Sequence, residues 1–448
     1  MESGNREQMD ITSGPATVCV FCFLRTELTA WIRFGSYYDA AMVNEEDSKH
    51  CSDELLRFAK ARLLDGPTQL DDLKGLGSLA CLSARFALEF DLADKSGRDV
   101  ALTLVEHHMR LCVAASIGFE KVITKAGSEP YLAEAARELM SDVGAVRLLA
   151  ENSSLGYIDL GRRGELVATL LVMRARDASA TVTRSRVVSI NDLMRALLPV
   201  PAYEKLKSMK PQYSQSGEDK RFSEAFEGYG TWFNHVIKVQ DTDMINTEHL
   251  WKFITRGAMV ICIDNEFGID LVLPVCARDK LSRRSVTAIL IQIKYGKRFG
   301  LQVDKHSFDC MDPFRVGLFS EDDRPLPVIR MVFALGSDKA GVVFPTVEEG
   351  KRDVDRFTAY DIWCAGLSPD VFRDIGSDLE SYKSLFLRSL QSHDGFEVKD
   401  AKDRYRNEAT EQARGMQRRK MVPLTVPAET HSYIHDAKNF LSVASATV

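Results

Sequence analysis

The sequence predicts an α/β protein: a helical N-terminal region followed by a mixed sheet flanked by helices. Three observations carry that expectation. Apolar residues recur at three- and four-residue spacing through the first 155 residues, whereas from about residue 258 they fall into β-branched runs of strand length. Between the two, the glycine-bounded stretch GYIDLGRRGELVATLLVMRARD (156–177) opens a long helix from about Gly164. At 448 residues, 45% hydrophobic and 27% charged, the chain has the composition of a globular protein and the length for more than one domain.

The expected units are a helical region at 1–155, an α/β unit at 156–400 with a helical insertion at about 180–250, and a charged tail at 401–448. Helices are expected over EDSKHCSDELLRFAKARLL (46–64), DVALTLVEHHMRLCVAASIG (99–118) and EPYLAEAARELMSDVGAVRLLAE (129–151). Ser128 is the expected cap of the third, with Pro130 at an early helical position. His107 and His108, with no carboxylate or thiol cluster beside them, read as structural. Helical turns follow from 187, and KPQYSQSGEDKR (210–221) reads as a loop. Strands are expected in AMVICID (258–264), IDLVLPV (269–275), VTAILIQIK (286–294), VIRMVFALG (328–336) and FTAYDIWCAG (357–366). No internal repeat is evident.

The apolar run ATVCVFCFL (16–24) is too short to span a bilayer and follows Glu2, Glu7 and Asp10 rather than a basic leader. A soluble, intracellular protein of the cytoplasm or nucleus, with no membrane partner, is therefore expected. Nine cysteines without regular pairing suit a reducing compartment, and the lone Cys19/Cys22 pair reads as buried thiols, not zinc ligands. Net charge is −6, but residues 1–160 carry 25 acids against 16 bases while 221–300 carry 11 bases against 9 acids. A phosphate-binding surface belongs in the second half, as a local patch. The helical N-terminal region is the expected surface for a protein partner.

Polar groups interrupt the strand pattern at Asp270, Gln292 and Lys294. Side chains alternate along a strand, so Gln292 and Lys294 share one face while Ile291 and Ile293 share the other. Asp270 lies on the preceding strand, joined by the basic loop CARDKLSRRS (276–285), so hairpin pairing gathers all three. A carboxylate, an amide oxygen and an ammonium suit a hard divalent cation and a phosphate. Arg283, Arg284, Lys297 and Arg298 are candidate grips on backbone phosphates.

This spacing resembles the PD-(D/E)XK nuclease superfamily, the restriction-endonuclease-like fold, with an acid on one hairpin strand and a (D/E/Q)-x-K tripeptide on the next. Asp270 matches the hairpin acid, and Gln292, Ile293 and Lys294 match the tripeptide in its glutamine form. Glu165 is the match for the family's helix glutamate. The resemblance covers about 156–366 and implies a Mg2+ or Mn2+ ion held by Glu165, Asp270, Gln292 and the main-chain carbonyl of Ile293. Lys294 would position or activate the attacking water, with DNA as substrate. Two departures stand out: about a hundred residues separate Glu165 from Asp270, and the tripeptide glutamine is neutral. The literal E-x-K at Glu397 and Lys399 lacks an apolar strand beneath it and is discarded. His235, in the aromatic run WFNHVIKV, reads as core.

A second resemblance runs through SEPYLAEAARELM, GRRGELVATLLVMRARD, GYGTWFNHVIKVQD and LWKFITRGAMVICIDNEFGIDLVLPV to VTAILIQIK. It is similar to a family of uncharacterised fungal proteins, some with a Crinkler-like P-loop ATPase at the N-terminus. No GxxxxGK[ST] occurs here, so no nucleotide cofactor is implied. The alternative function is a catalytically inactive nuclease-like module that binds nucleic acid or protein in a fungal defence or effector system.

Overall fold

The five runs Ala258–Ile261, Leu271–Ala277, Val286–Lys294, Val328–Ala334 and Ala359–Ala365 form strands, as their pattern predicts, because they are buried on both sides and feed two apolar layers at once. The computed structural model describes residues 48–394 apart from 67–72, 74, 91, 93, 116–121, 154–157, 160–163, 184–186, 216–219, 240, 264–267, 278–281 and 346–355. The CxxC at Cys19 and Cys22, the Glu397/Lys399 tripeptide and the charged tail lie outside the described residues.

In chain order the elements begin with α1 (Ser48–Leu64), α2 (Gly75–Phe86), β1 (Glu89–Phe90), α3 (Lys95–His107), β2 (Arg110–Ala115), β3 (Val122–Ala126), α4 (Pro130–Leu139), α5 (Ala145–Ser153) and β4 (Ile158–Asp159). Next come α6 (Glu165–Thr183), β5 (Val188–Ser189), α7 (Ile190–Leu197), α8 (Val200–Ser208), α9 (Phe222–Ala225), β6 (Tyr229–Thr231), β7 (His235–Lys238) and α10 (Thr247–Thr255). The chain ends in β8 (Ala258–Ile261), β9 (Leu271–Ala277), β10 (Val286–Lys294), α11 (Lys305–Cys310), β11 (Val328–Ala334), β12 (Gly341–Val343), β13 (Ala359–Ala365) and α12 (Leu379–Asp394).

The main sheet is mixed. Its path is β12-β13-β11-β10-β9-β6-β5, with β8 also on β9 and β7 on β8. Through β8, β9, β10, β11 and β13 only β9 runs against the others. Leu271, Leu273, Ile289, Ile291, Ile293, Met331 and Phe333 point to one core, which they share with α6, α12 and the helices of the first 155 residues. Val272, Ala288, Leu290, Val332 and Ala334 point to the other, under α10 and α11. Each fully buried side chain of this size stabilises the fold by about 1.5–3 kcal/mol, so a polar residue in these rows carries a cost. The 155/156 boundary is no break in packing, since the first core runs from Leu55 to Phe386.

Several sequence expectations shift. The helix expected over 99–118 stops at His107, Met109 adopts φ +60°, and Arg110–Ala115 pairs with β3 instead. Tertiary contact decides this: buried Arg110 donates to Thr124 and Ser83 and stacks over Phe90, which fixes an extended backbone that periodicity could not show. The helix expected over 129–151 is two, broken where Gly144 takes φ +87°. Its cap is the Glu129 side chain, which accepts from the Tyr131 amide, and not Ser128. The insertion at 180–250 is not purely helical, for it adds β5, β6 and β7 to the sheet.

Ser128 does something else. Asn234 Nδ2 donates to the carbonyl of Pro130 at 2.9 Å, which leaves Oδ1 to accept from His235 Nδ1 at 2.9 Å. His235 Nε2 therefore accepts from Ser128 Oγ at 2.8 Å, and Arg256 donates to the same hydroxyl. The chain of bonds ties α4 to β7 and α10, and His235 is core as its surroundings in sequence suggest. Burial first, then the Arg256 and Arg85 charges, push its pKa down to about 3. An unfolded histidine titrates near 6.5, so only the unfolded state takes up a proton as pH falls from there toward 3. Stability is therefore full above 6.5 and drops by up to about 1.4 kcal/mol per pH unit below it. Melting temperatures of wild type and His235→Gln measured from pH 7 to pH 5 should converge, with the wild type falling more steeply; parallel lines would show that His235 is not the group responsible.

Candidate functional site

The ladder between β9 and β10 ends at Leu271 opposite Ile291, and the polar residues begin there. Asp270 extends the pairing by one residue, its amide donating to the Ile291 carbonyl and its carbonyl accepting from Cys262 on the β8 side, both at 2.9 Å. Its side chain then reaches across to β10, where Oδ2 accepts the Ile293 amide proton at 2.6 Å. A residue's N–H and C=O leave a strand on the same side, so the Ile293 carbonyl also faces β9, beyond the end of the ladder. The hairpin thus brings together Asp270, Gln292, the Ile293 carbonyl and Lys294.

Gln292 is 9% exposed, and its Oε1 is buried with no hydrogen-bond partner among the described residues. Leaving such an oxygen unmet costs about 1–3 kcal/mol. Lys294 is half-buried, its ammonium 5.4 Å from the Phe299 ring. Desolvation is the main influence on it and holds its pKa below the usual lysine value; Asp270, Asp304 and Cys310 oppose the shift and Arg298 adds to it. The sequence did not single out Asp304 or Cys310, because they enter through α11, forty residues after Gly268. That helix lies so close that a Cβ at Gly268 (φ +86°) would sit 2.2 Å from the Cys310 carbonyl oxygen.

Glu165 is the first residue of α6 and is half-buried. Gly164 before it, at φ +85°, abuts Phe386 and Leu335, so the helix starts beside the exit of β11, the end of the sheet at which Lys294 leaves β10. The helix body packs on the opposite core, with Leu166, Leu170 and Met173 buried as the pattern suggests; Thr169 on the Glu165 side is buried too, its hydroxyl on the Glu165 carbonyl. Arg283 and Arg284 lie elsewhere. They precede β10, whose nine residues put them on the order of 30 Å from Lys294, and Arg283 faces Glu248 at 3.7 Å. Lys297 and Arg298 stand at the Lys294 end.

What holds α11 against this face was not legible in the sequence. Arg330 on β11 and Asp361 on β13 are 1% and 2% exposed and bond bidentately, both distances 2.7 Å, while Arg330 also donates to the Phe308 carbonyl of α11. Burial holds the Asp361 pKa above the usual carboxylate range, and the arginine pulls it only part of the way back. As to cations, among the described residues no group of three or more His, Cys, Asp or Glu side chains is arranged to hold a metal. The oxygens of Asp270, Gln292 and Ile293 fit a hard ion that keeps several waters, with one formal charge among them.

Residues 70–312 match the family described as Domain of unknown function (DUF8736), and they amount to just over half the chain. The chain belongs to that family. No curated protein and no solved structure matches it. The DUF8736 match takes in Glu165, the whole β9–β10 hairpin and α11, and stops before β11. No helix among the described residues is long and apolar enough to cross a membrane.

Breaking the buried pair is the test of what supports this face. Asp361→Asn leaves Arg330 charged and unpaired, which should cost about 3–5 kcal/mol, while Arg330→Met with Asp361→Leu should recover most of that. Urea unfolding of the three proteins measures it; a mild single and a harmful double would mean the pair's geometry, not its charge, is what matters.

Proposed function

We propose that the protein is a metal-dependent nuclease of the restriction-endonuclease-like class that hydrolyses DNA phosphodiester bonds. The observation that carries this reading is the buried Oε1 of Gln292, without a partner among the described residues, on the face shared with Lys294 and next to a carboxylate that arrives from the neighbouring strand. A mixed sheet with helices on both faces, in which β9 alone is reversed among five central strands, supports it.

Asp270 Oδ1, Gln292 Oε1 and the Ile293 carbonyl would hold Mg2+ or Mn2+; Glu165 lies at the same end of the sheet, at the start of a helix that packs on the other face. When bound, the ion supplies a Lewis acid and a water of lowered pKa. Lys294 holds a phosphate oxygen and stabilises charge that builds up in the transition state, and its partial burial strengthens that interaction. Lys297 and Arg298 lie where backbone phosphates on either side of the cleaved bond would pass. A second reading, an inactive module that binds nucleic acid or protein, is favoured by one observation: Asp270 commits one oxygen to the Ile293 amide and Gln292 adds no charge, so the donor set is weak for a divalent cation.

Plasmid nicking against metal concentration, with an EDTA control, decides between them. Lys294→Ala should lower cleavage by orders of magnitude while DNA binding weakens only slightly. Gln292→Glu adds a carboxylate and should lower the metal concentration for half-maximal cleavage. Melting temperatures serve as the folding control. Equal nicking by wild type and Lys294→Ala would place the chemistry outside this site.

A further inference from the structure

The segment that leaves the site, Tyr295–Leu301, is held firmly and yet leaves Tyr295, Lys297, Arg298 and Leu301 exposed, while Phe299 packs on the second core. Three contacts fix it. The Tyr295 carbonyl lies against the α-carbon of Gly336, where a Cβ would be 1.9 Å from the oxygen, so residue 336 has to be glycine. Buried Trp363 donates from Nε1 to the Gly300 carbonyl at 2.7 Å, and the Leu301 side chain lies against Gly341. Turn bonds from Phe299 to the Gly296 carbonyl and from Gly300 to the Arg298 carbonyl close the loop.

Despite this anchoring, Tyr295 and Leu301 are each 40% exposed. The Lys297 side chain is 81% exposed and only loosely paired, 3.7 Å from an Asp338 side chain that is 73% exposed. Arg298 is exposed and stacks 4.8 Å from the centre of Phe299, the ring that also backs Lys294. An aromatic ring on rigid backbone, two cations and an apolar edge therefore follow the candidate catalytic lysine within seven residues.

We propose that this loop is a stacking platform for an unpaired base, and that the protein's substrate is single-stranded nucleic acid or an unpaired segment within it. The proposal rests on the reading of the site as one that acts on nucleic acid, and adds which form it acts on. In a duplex the base faces are already stacked on one another, and only the phosphates are offered to a surface of this kind. An unpaired strand offers both: Tyr295 takes a base face, while Lys297 and Arg298 take the phosphates beside it. Because Gly336 and Trp363 have already ordered the loop, little conformational entropy remains to be lost on binding.

Fluorescence anisotropy with a labelled oligothymidine and with a duplex of the same length tests this, using full-length protein carrying Lys294→Ala, in EDTA so that nothing is cut. The single strand should bind more tightly than the duplex. Tyr295→Ala should weaken the single strand roughly tenfold and leave the duplex unchanged, while Tyr295→Phe, which keeps the ring, should bind as the parent does. Lys297→Ala should weaken both forms and reduce the salt dependence by about one ion. Equal affinity for the two forms, or no effect of Tyr295→Ala, overturns the platform. Cleavage by unmodified protein in Mn2+ is scored separately: cutting without strand preference defeats the platform and spares the nuclease reading, whereas Tyr295-dependent binding without cutting supports the platform and defeats the nuclease reading. Binding of neither form removes both.

Discussion

The 2.6 Å bond from the Ile293 amide to the Asp270 carboxylate is the contact on which the candidate site depends. The ladder between β9 and β10 has ended by Ile293, so its N–H would otherwise be an unmet donor at the edge of a buried sheet. Asp270 meets it with a side chain where the backbone no longer can. In doing so it brings negative charge onto the strand between Gln292 and Lys294. The same bond thus closes the hairpin and gathers the polar residues, and a substitution at Asp270 disturbs both at once.

A second constraint acts from below. The Arg330–Asp361 pair lies inside the layer that α10 and α11 cover, where an isolated charge costs several kcal/mol and only a well-formed, bidentate partner offsets it. Arg330 also lies against the stacked rings of Tyr213 and Phe357, and its Nη1 donates to the Phe308 carbonyl. Through that carbonyl the pair sets the height of α11, and α11 in turn presses against Gly268, two residues ahead of Asp270. The buried Arg330 guanidinium thus links sheet to helix, and a backbone contact at Gly268 links helix to the segment that carries Asp270. A larger residue at 268 has nowhere to go, because the atom it would meet is a main-chain oxygen.

Where sequence reasoning succeeded, the signal was local and strong. β8, β9, β10, β11 and β13 were all legible because each is a β-branched or aromatic run bounded by turn residues, and burial on both faces leaves few polar positions to blur it. The three exceptions stood out for the same reason, and hairpin pairing does bring Asp270 to Gln292 and Lys294. It failed where a distant group decides the outcome. Residues 110–115 have enough alanine and leucine to extend a helix, and become a strand because Arg110 finds Thr124 and Ser83. Ser128 looks like a helix cap and is taken instead by His235, more than a hundred residues away. Arg283 and Arg284 are close to the site along the chain but stand at the far end of β10.

By itself, then, the sequence determined the five central strands, which residues of β10 share a face, and that polar groups break the β9–β10 hairpin at Asp270, Gln292 and Lys294. Those follow from alternation and burial, which act within a few residues. Tertiary structure alone decided that β9 is the single reversed strand among the five central ones, that Asp361 pairs with Arg330, and that Gln292 keeps an oxygen without a partner among the described residues. It also decided that the rigid loop after Lys294 leaves Tyr295 exposed. Each of these depends on a contact between residues far apart in the chain, and its energy comes from desolvation, which no local pattern records.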